Sequence, residues 1–150
     1  MTLVKLPIMK FYAPLLVLAL GLVATFDASA QCRSFTKKNC LTELEGYVQN
    51  DNYNSAVLIP GDEAELTLTF LAGTDYRLLV CSHPILGEVQ FEVRDARGKS
   101  LFNSAKAGGR SHVDFRVEKS QQLMVHVYVP ESESAILHEG CVTILLGSKE

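Results

Sequence analysis

Leu123-Met124-Val125-His126-Val127-Tyr128-Val129 puts Leu123, Val125, Val127 and Val129 on one side of an extended chain and Met124, His126 and Tyr128 on the other. Side chains alternate across a strand with period two, so this stretch reads as a strand with one buried and one solvated face. The same pattern recurs in both directions along the chain. Val113, Phe115 and Val117 alternate with His112, Asp114 and Arg116, and Val89, Phe91 and Val93 with Glu88, Gln90, Glu92 and Arg94. Further upstream Ala64, Leu66, Leu68 and Phe70 alternate with Glu63, Glu65, Thr67 and Thr69.

Turn residues separate these runs at short intervals: Pro60-Gly61, Ala72-Gly73-Thr74, Asp95 to Gly98, Ala107-Gly108-Gly109 and Glu118-Lys119-Ser120. About eight strands at such spacing predict an all-β, antiparallel, jelly-roll-like sandwich, with a closed barrel as the competing architecture. Two strands depart from clean alternation. Tyr76 to Cys81 and Cys141 to Leu146 are apolar on both sides, which is the mark of a strand covered on both faces. Leu41, Leu44 and Val48 carry helical spacing, which predicts a short helix over about 40–48 lying on the outer face that bears Leu79 and Leu145. The parity of the two strands puts Cys81 and Cys141 on that same outer face.

The N-terminus is of a different kind. Lys5 and Lys10 precede an apolar run from Phe11 to Thr25, and Ala28-Ser29-Ala30 offers the small residues a signal peptidase reads, so cleavage is expected after Ala30. The competing reading is a retained anchor, but the run is short for a bilayer span and is interrupted by Pro14. Gln31 before Cys32 is a poor lipidation context. The expected organisation is therefore a leader over 1–30, a Cys-containing helical segment over 31–53 packed on the sandwich, and the sandwich over 54–150. Localisation is expected to be periplasmic or extracellular.

Removal of the leader takes Lys5, Lys10 and Asp27 with it and shifts the formal charge of the 150-residue chain from -3 to -4. An acidic chain has no basic excess to hold a phosphate backbone, so nucleic acid is not an expected partner. All four cysteines lie in the exported part, where an oxidising compartment favours bridges. Four cysteines permit three pairings, of which Cys32–Cys40 with Cys81–Cys141 is preferred on parity, the other two remaining open.

These residues resemble a family of small, uncharacterised exported bacterial proteins. The pattern is Cys32-x-x-Phe35 with Cys40, Pro60-Gly61 leading to Leu66, Phe70-x-Ala72-Gly73-x-x-Tyr76-Arg77-x-x-Val80-Cys81, and Gly140-Cys141-Val142. The resemblance implies an exported, disulfide-bonded β domain and carries no activity with it. More loosely, Tyr76 to Val80 followed by Phe91-x-Val93-x-Asp95-x-x-Gly98-x-x-Leu101 looks like the sandwich domains appended after secreted peptidases.

Chemistry-bearing motifs are sparse. His83, His112, His126 and His138 form no metal-binding spacing, and the acidic runs lack the calcium-loop pattern, so no metal or cofactor is expected. There is no Gly-x-Ser-x-Gly elbow, and cysteines held in bridges supply no thiolate. A hydrolase built from His112, Asp114 and His126 would need their strands to be neighbours. The expectation is thus a non-catalytic binding or accessory module of the envelope or extracellular space, with a protein partner. A glycan-binding module is the alternative. Tyr128, Glu131 and Glu133 are the candidate contacts, because the Glu- and Ser-rich loop after Tyr128 reads as exposed, and loops on rigid sandwiches carry binding function.

Overall fold

A computed structural model describes residues 28–49 and 53–149. The expected leader, apart from Ala28 to Ala30, lies outside them. The described chain runs α1 (Ala28–Asn39), a 3-10 turn (Leu41–Leu44), β1 (Val48–Gln49), β2 (Asn54–Leu58), β3 (Glu63–Phe70), β4 (Asp75–Ser82), a 3-10 turn (Pro84–Leu86), β5 (Gln90–Arg94), β6 (Ser100–Asn103), β7 (His112–Arg116), β8 (Gln121–Tyr128) and β9 (Gly140–Lys149). The strands form two antiparallel sheets. One has the order β1-β9-β4-β7 with β2 also on β9, and the other β3-β8-β5-β6. This is the predicted sandwich, and it is not a barrel.

The alternating strands behave as their sequence dictates. Phe70, Phe91, Val93, Leu123, Val125, Val127 and Val129 meet Tyr76, Leu78, Val80, Val142 and Ile144 from the opposite sheet in one continuous core. Phe70 packs edge-on against Tyr76, with ring centroids 5.0 Å apart. β4 and β9 are neighbours at the centre of the first sheet, and their second apolar face is covered as expected. Cys40, Leu44, Leu79, Cys81 and Leu145 form a second buried cluster joined by Phe35, Leu41 and Tyr53. The molecule therefore has three layers: a helical segment, then two sheets.

The helix itself differs from the expectation. It spans Ala28–Asn39, and the region expected to be helical, 40–48, holds only the 3-10 turn Leu41–Leu44. Gly46 at φ +86° turns the chain there, and Val48 begins β1 with 75% of its surface exposed. The buried stripe comes instead from Cys32, Thr36 and Cys40, which are spaced i, i+4, i+8 and fully shielded. Lys37 and Lys38 in the last turn of α1 sit favourably against its carbonyl end.

The preferred disulfide pairing is also corrected. The bridges are Cys32–Cys141 and Cys40–Cys81, with Cα separations of 5.3 and 5.9 Å. Along a helix rising about 1.5 Å per residue, Cys32 and Cys40 stand about 12 Å apart, beyond the reach of one bridge. Across the β4–β9 ladder the residue opposite Cys81 is Thr143, so Cys141 is displaced by two positions. Both strand cysteines do face outward, as their parity requires, and each is met by a cysteine from the helical segment.

Between the two bridges runs a short polar chain. The Thr36 hydroxyl donates to the Cys32 carbonyl at 2.8 Å and lies 2.7 Å from that of Thr143, which lies 2.9 Å from Ser55 Oγ. With its only proton used, Thr36 must accept from Thr143, and Thr143 in turn from Ser55. At Gly147 a Cβ would stand 2.7 Å from the Tyr47 Cβ, so the absence of a side chain lets the segment after the 3-10 turn lie directly on β9.

Candidate functional site

One end of the sandwich gathers the connections β2–β3, β4–β5, β6–β7 and β8–β9. The last of these, from Val129 to Glu139, crosses from one sheet to the other and is anchored at both feet. At its start, Gly61 N–H donates to the Val129 carbonyl and Val129 N–H to the Asp62 carbonyl, both at 2.9 Å. Asp62 Oδ2 accepts from Ile59 N–H at 2.9 Å and shapes the turn that makes those bonds. At its end, the Cys141 carbonyl accepts from His83 N–H at 2.8 Å, and Cys141 is bridged to Cys32 in α1. Gly140 is packed so closely that a Cβ would lie 2.8 Å from Leu86 Cγ.

Between these feet the loop is open to solvent. Ser132 Oγ accepts from Ser134 N–H and Ser134 Oγ from Ile136 N–H, at 3.1 and 3.2 Å, giving the segment local turns and no long-range hydrogen bonds. Its crown carries two adjacent large apolar residues, Ile136 and Leu137, 65% and 68% exposed. Beside it the 3-10 turn Pro84–Leu86 buries Leu86 and presents Ile85, 46% exposed. His83 Nδ1 caps that turn by accepting from Ile85 N–H at 3.2 Å, and the His83 ring lies 5.4 Å from that of Phe35 in α1.

The β2–β3, β4–β5 and β8–β9 loops contain Asp62, Glu88, Glu131, Glu133 and Glu139 and neither Lys nor Arg, while the β6–β7 connection brings Lys106 and Arg110 to the same end, with Gly109 against Glu88. Glu131 lies against the Gly61 turn, its Cγ 3.7 Å from where a Cβ would stand, and Glu133 is exposed. Tyr128 closes β8 and opens on the outer face of the second sheet. There it borders a shallow depression of about 210 Å³ with Gln90, Glu92, Arg94, Asn103 and His126. Thus the two glutamates belong to the loop end, and the tyrosine belongs to the sheet face beside it.

His112, Asp114 and His126 do not come together. β7 belongs to the first sheet and β8 to the second, so His112 and Asp114 face outward on one side of the sandwich and His126 on the other. His126 Nε2 lies 3.2 Å from Glu63. Asp114 is committed to Arg77, whose Nε and Nη2 both donate to it at 2.7 Å while Nη1 donates to the Glu43 carbonyl at 2.9 Å. The Arg77 hydrogen bond holds the Asp114 carboxyl below its usual range, and Arg116 does the same for Asp75. These are structural ion pairs. Tyr47 lies between two cations, with Arg77 Cζ 4.7 Å and Lys149 Nζ 4.6 Å from its ring centroid. Tyr53 packs with the second cluster under Arg33. Among the described residues, no three His, Cys, Asp or Glu side chains are grouped to hold a metal ion, and no helix is long and apolar enough to cross a membrane.

The sequence reading missed Ile85, Ile136 and Leu137. The signal was present, since a pair of large apolar residues inside a Glu- and Ser-rich loop has no packing role to fulfil.

No protein-family model matches the sequence, and no curated protein matches it. The fold is similar to a solved structure from Aeromonas hydrophila, PliG, a periplasmic inhibitor of g-type lysozyme. The TM-score is 0.51, over 70% of this chain and 90% of that one, at 11% sequence identity. A likeness at that identity is one of fold.

Proposed function

We propose that this chain is a non-catalytic protein-binding module, exported after cleavage behind Ala30, that engages its partner through the loop end of the sandwich. The observation that carries the reading is the exposed pair Ile136 and Leu137 on a loop fixed at both feet by hydrogen bonds and the Cys32–Cys141 bridge. A crown held on a rigid base loses little entropy when it docks, which favours its use as an anchor. Apolar residues on a loop whose charged side chains are all carboxylates suit a partner cleft with an apolar floor and a cationic rim. The fold likeness to an inhibitor that acts on a lysozyme is in keeping with a protein partner in the envelope.

The test is capture from envelope extract and culture medium on the oxidised mature protein, alongside Ile136→Ser/Leu137→Ser. The reading expects a protein retained by the native module and lost with the double variant, whose melting temperature is unchanged. Equal retention by both would reject it. Inhibition of a g-type lysozyme by the native protein is the natural activity assay to run beside it.

A second reading, glycan binding, draws support from the polar side chains that border Tyr128 in its depression on the second sheet. It expects an enriched glycan in the same capture and its loss in Tyr128→Ala.

A further inference from the structure

The opposite flank of the molecule has a different character. β7 pairs with β4 alone and β6 with β5 alone, so both sheets end on the same side of the sandwich with unpaired edges. Between those edges lies a groove of about 510 Å³, within the size range of ligand sites. Val113, Phe115 and Val117 wall it on one side, Leu101 and Phe102 on the other, with Val93 and Leu123 at its floor. Leu101 is 52% exposed, and Val113 and Phe115 are only half-buried, so the apolar lining is incompletely closed.

The backbone of β7 specifies what would complete it. Val80 N–H donates to the Ser111 carbonyl, and the register continues through Leu78↔Val113 and Tyr76↔Phe115. In an antiparallel ladder bonded and non-bonded pairs alternate, so the N–H and C=O groups of His112, Asp114 and Arg116 point away from β4 to the open side. A row of alternating donors and acceptors at this spacing is matched in register by another extended backbone, and the hydrocarbon of an acyl chain offers it neither donor nor acceptor.

Charge narrows the occupant further. From Arg97 to Lys119, the segment that builds this flank, there are six cations (Arg97, Lys99, Lys106, Arg110, Arg116 and Lys119) against Asp114 and Glu118. Asp114 is paired with Arg77 and Arg116 with Asp75, which leaves the other five cations against Glu118 and makes this a basic flank in a chain of net charge -3.

We propose that this flank is a strand-addition site that takes an extended acidic peptide segment as an extra strand on β7, with alternate apolar side chains filling the groove. Its inward side chains cover Val113, Phe115 and Leu101, and its acidic side chains meet the surrounding cations. The site is separate from the loop end and does not depend on the function proposed there.

The probe is the acetylated, amidated peptide Glu-Val-Glu-Val-Glu-Val-Glu, added to the oxidised mature protein and followed by amide exchange and calorimetry. The expected result is one-to-one binding that weakens with salt and slows exchange at the His112, Asp114 and Arg116 amides. The Val113 and Phe115 amides, already bonded to β4, serve as internal references. Leu101→Glu, at an exposed rim position, and Lys119→Glu, at the mouth, are each expected to weaken binding about tenfold by setting like charge against the peptide. The peptide N-methylated at alternate residues, unable to pair with the edge, should not bind. Unchanged exchange at the three β7 amides overturns the proposal, as does equal binding of the N-methylated peptide. Displacement of the peptide by dodecanoate would make the groove an acyl site instead, and a dimer formed through β7 without peptide would make it a self-association edge; either result overturns it.

Discussion

Thr36 shows how one buried hydroxyl can join layers. It is fully shielded, it ends the chain Ser55 to Thr143 to Thr36 to the Cys32 carbonyl, and it sits between the two bridges. Thr36→Val keeps the shape but leaves the Thr143 proton without an acceptor, so a loss of about 1–3 kcal/mol is expected in denaturant unfolding. Asp114 gives a pH-dependent counterpart. Arg77 depresses its folded pKa, so the pair contributes stability above the unfolded carboxylate value of about 3.9 and loses it as pH falls through the lower folded value. Carbon-detected titration should find the Asp114 midpoint below that of an ordinary aspartate, and Arg77→Gln should return it to the ordinary range. An ordinary midpoint in the native protein would contradict the pairing.

At the scale of elements, the strands were legible and the helix was not. Leu123 to Val129 and Glu63 to Phe70 declare themselves because every second residue is strongly apolar. The double-sided character of Tyr76–Cys81 and Cys141–Leu146 correctly required a third layer. What hid α1 is that its buried stripe is made of Cys32, Thr36 and Cys40, residues that score as neutral and are buried here because two are bridged and one is hydrogen-bonded. Without the helix the cysteine pairing could not be read, since parity places Cys81 and Cys141 on one face but register alone reveals the displacement between them. Non-reducing peptide mapping should therefore yield linked fragments 32–141 and 40–81. Loss of the Cys40–Cys81 bridge, which spans 41 residues, is expected to cost about 4 kcal/mol in the chain-entropy picture, with α1 and the 3-10 turn loosened from the sheet. A melting temperature unaffected by Cys40→Ser/Cys81→Ser would contradict that role.

The whole molecule is a stapled three-layer body with two dissimilar surfaces, an apolar crown on an acidic loop and a basic open flank. The sequence placed Glu131 and Glu133 on an exposed loop, but it could not show that the β4–β5 turn stands beside that loop, because the neighbourhood is created by the crossing between sheets. The β7–β8 connection, which also passes between the sheets, separates His126 from His112 and Asp114, which lie close in sequence and on opposite faces of the fold. The most direct test of the loop end as the binding surface is hydrogen–deuterium exchange of the oxidised mature protein with and without its captured partner. Protection is predicted over 83–89 and 129–139. If those segments exchange at the same rate in the complex as in the free protein, while protection falls elsewhere, the loop end is not the binding surface.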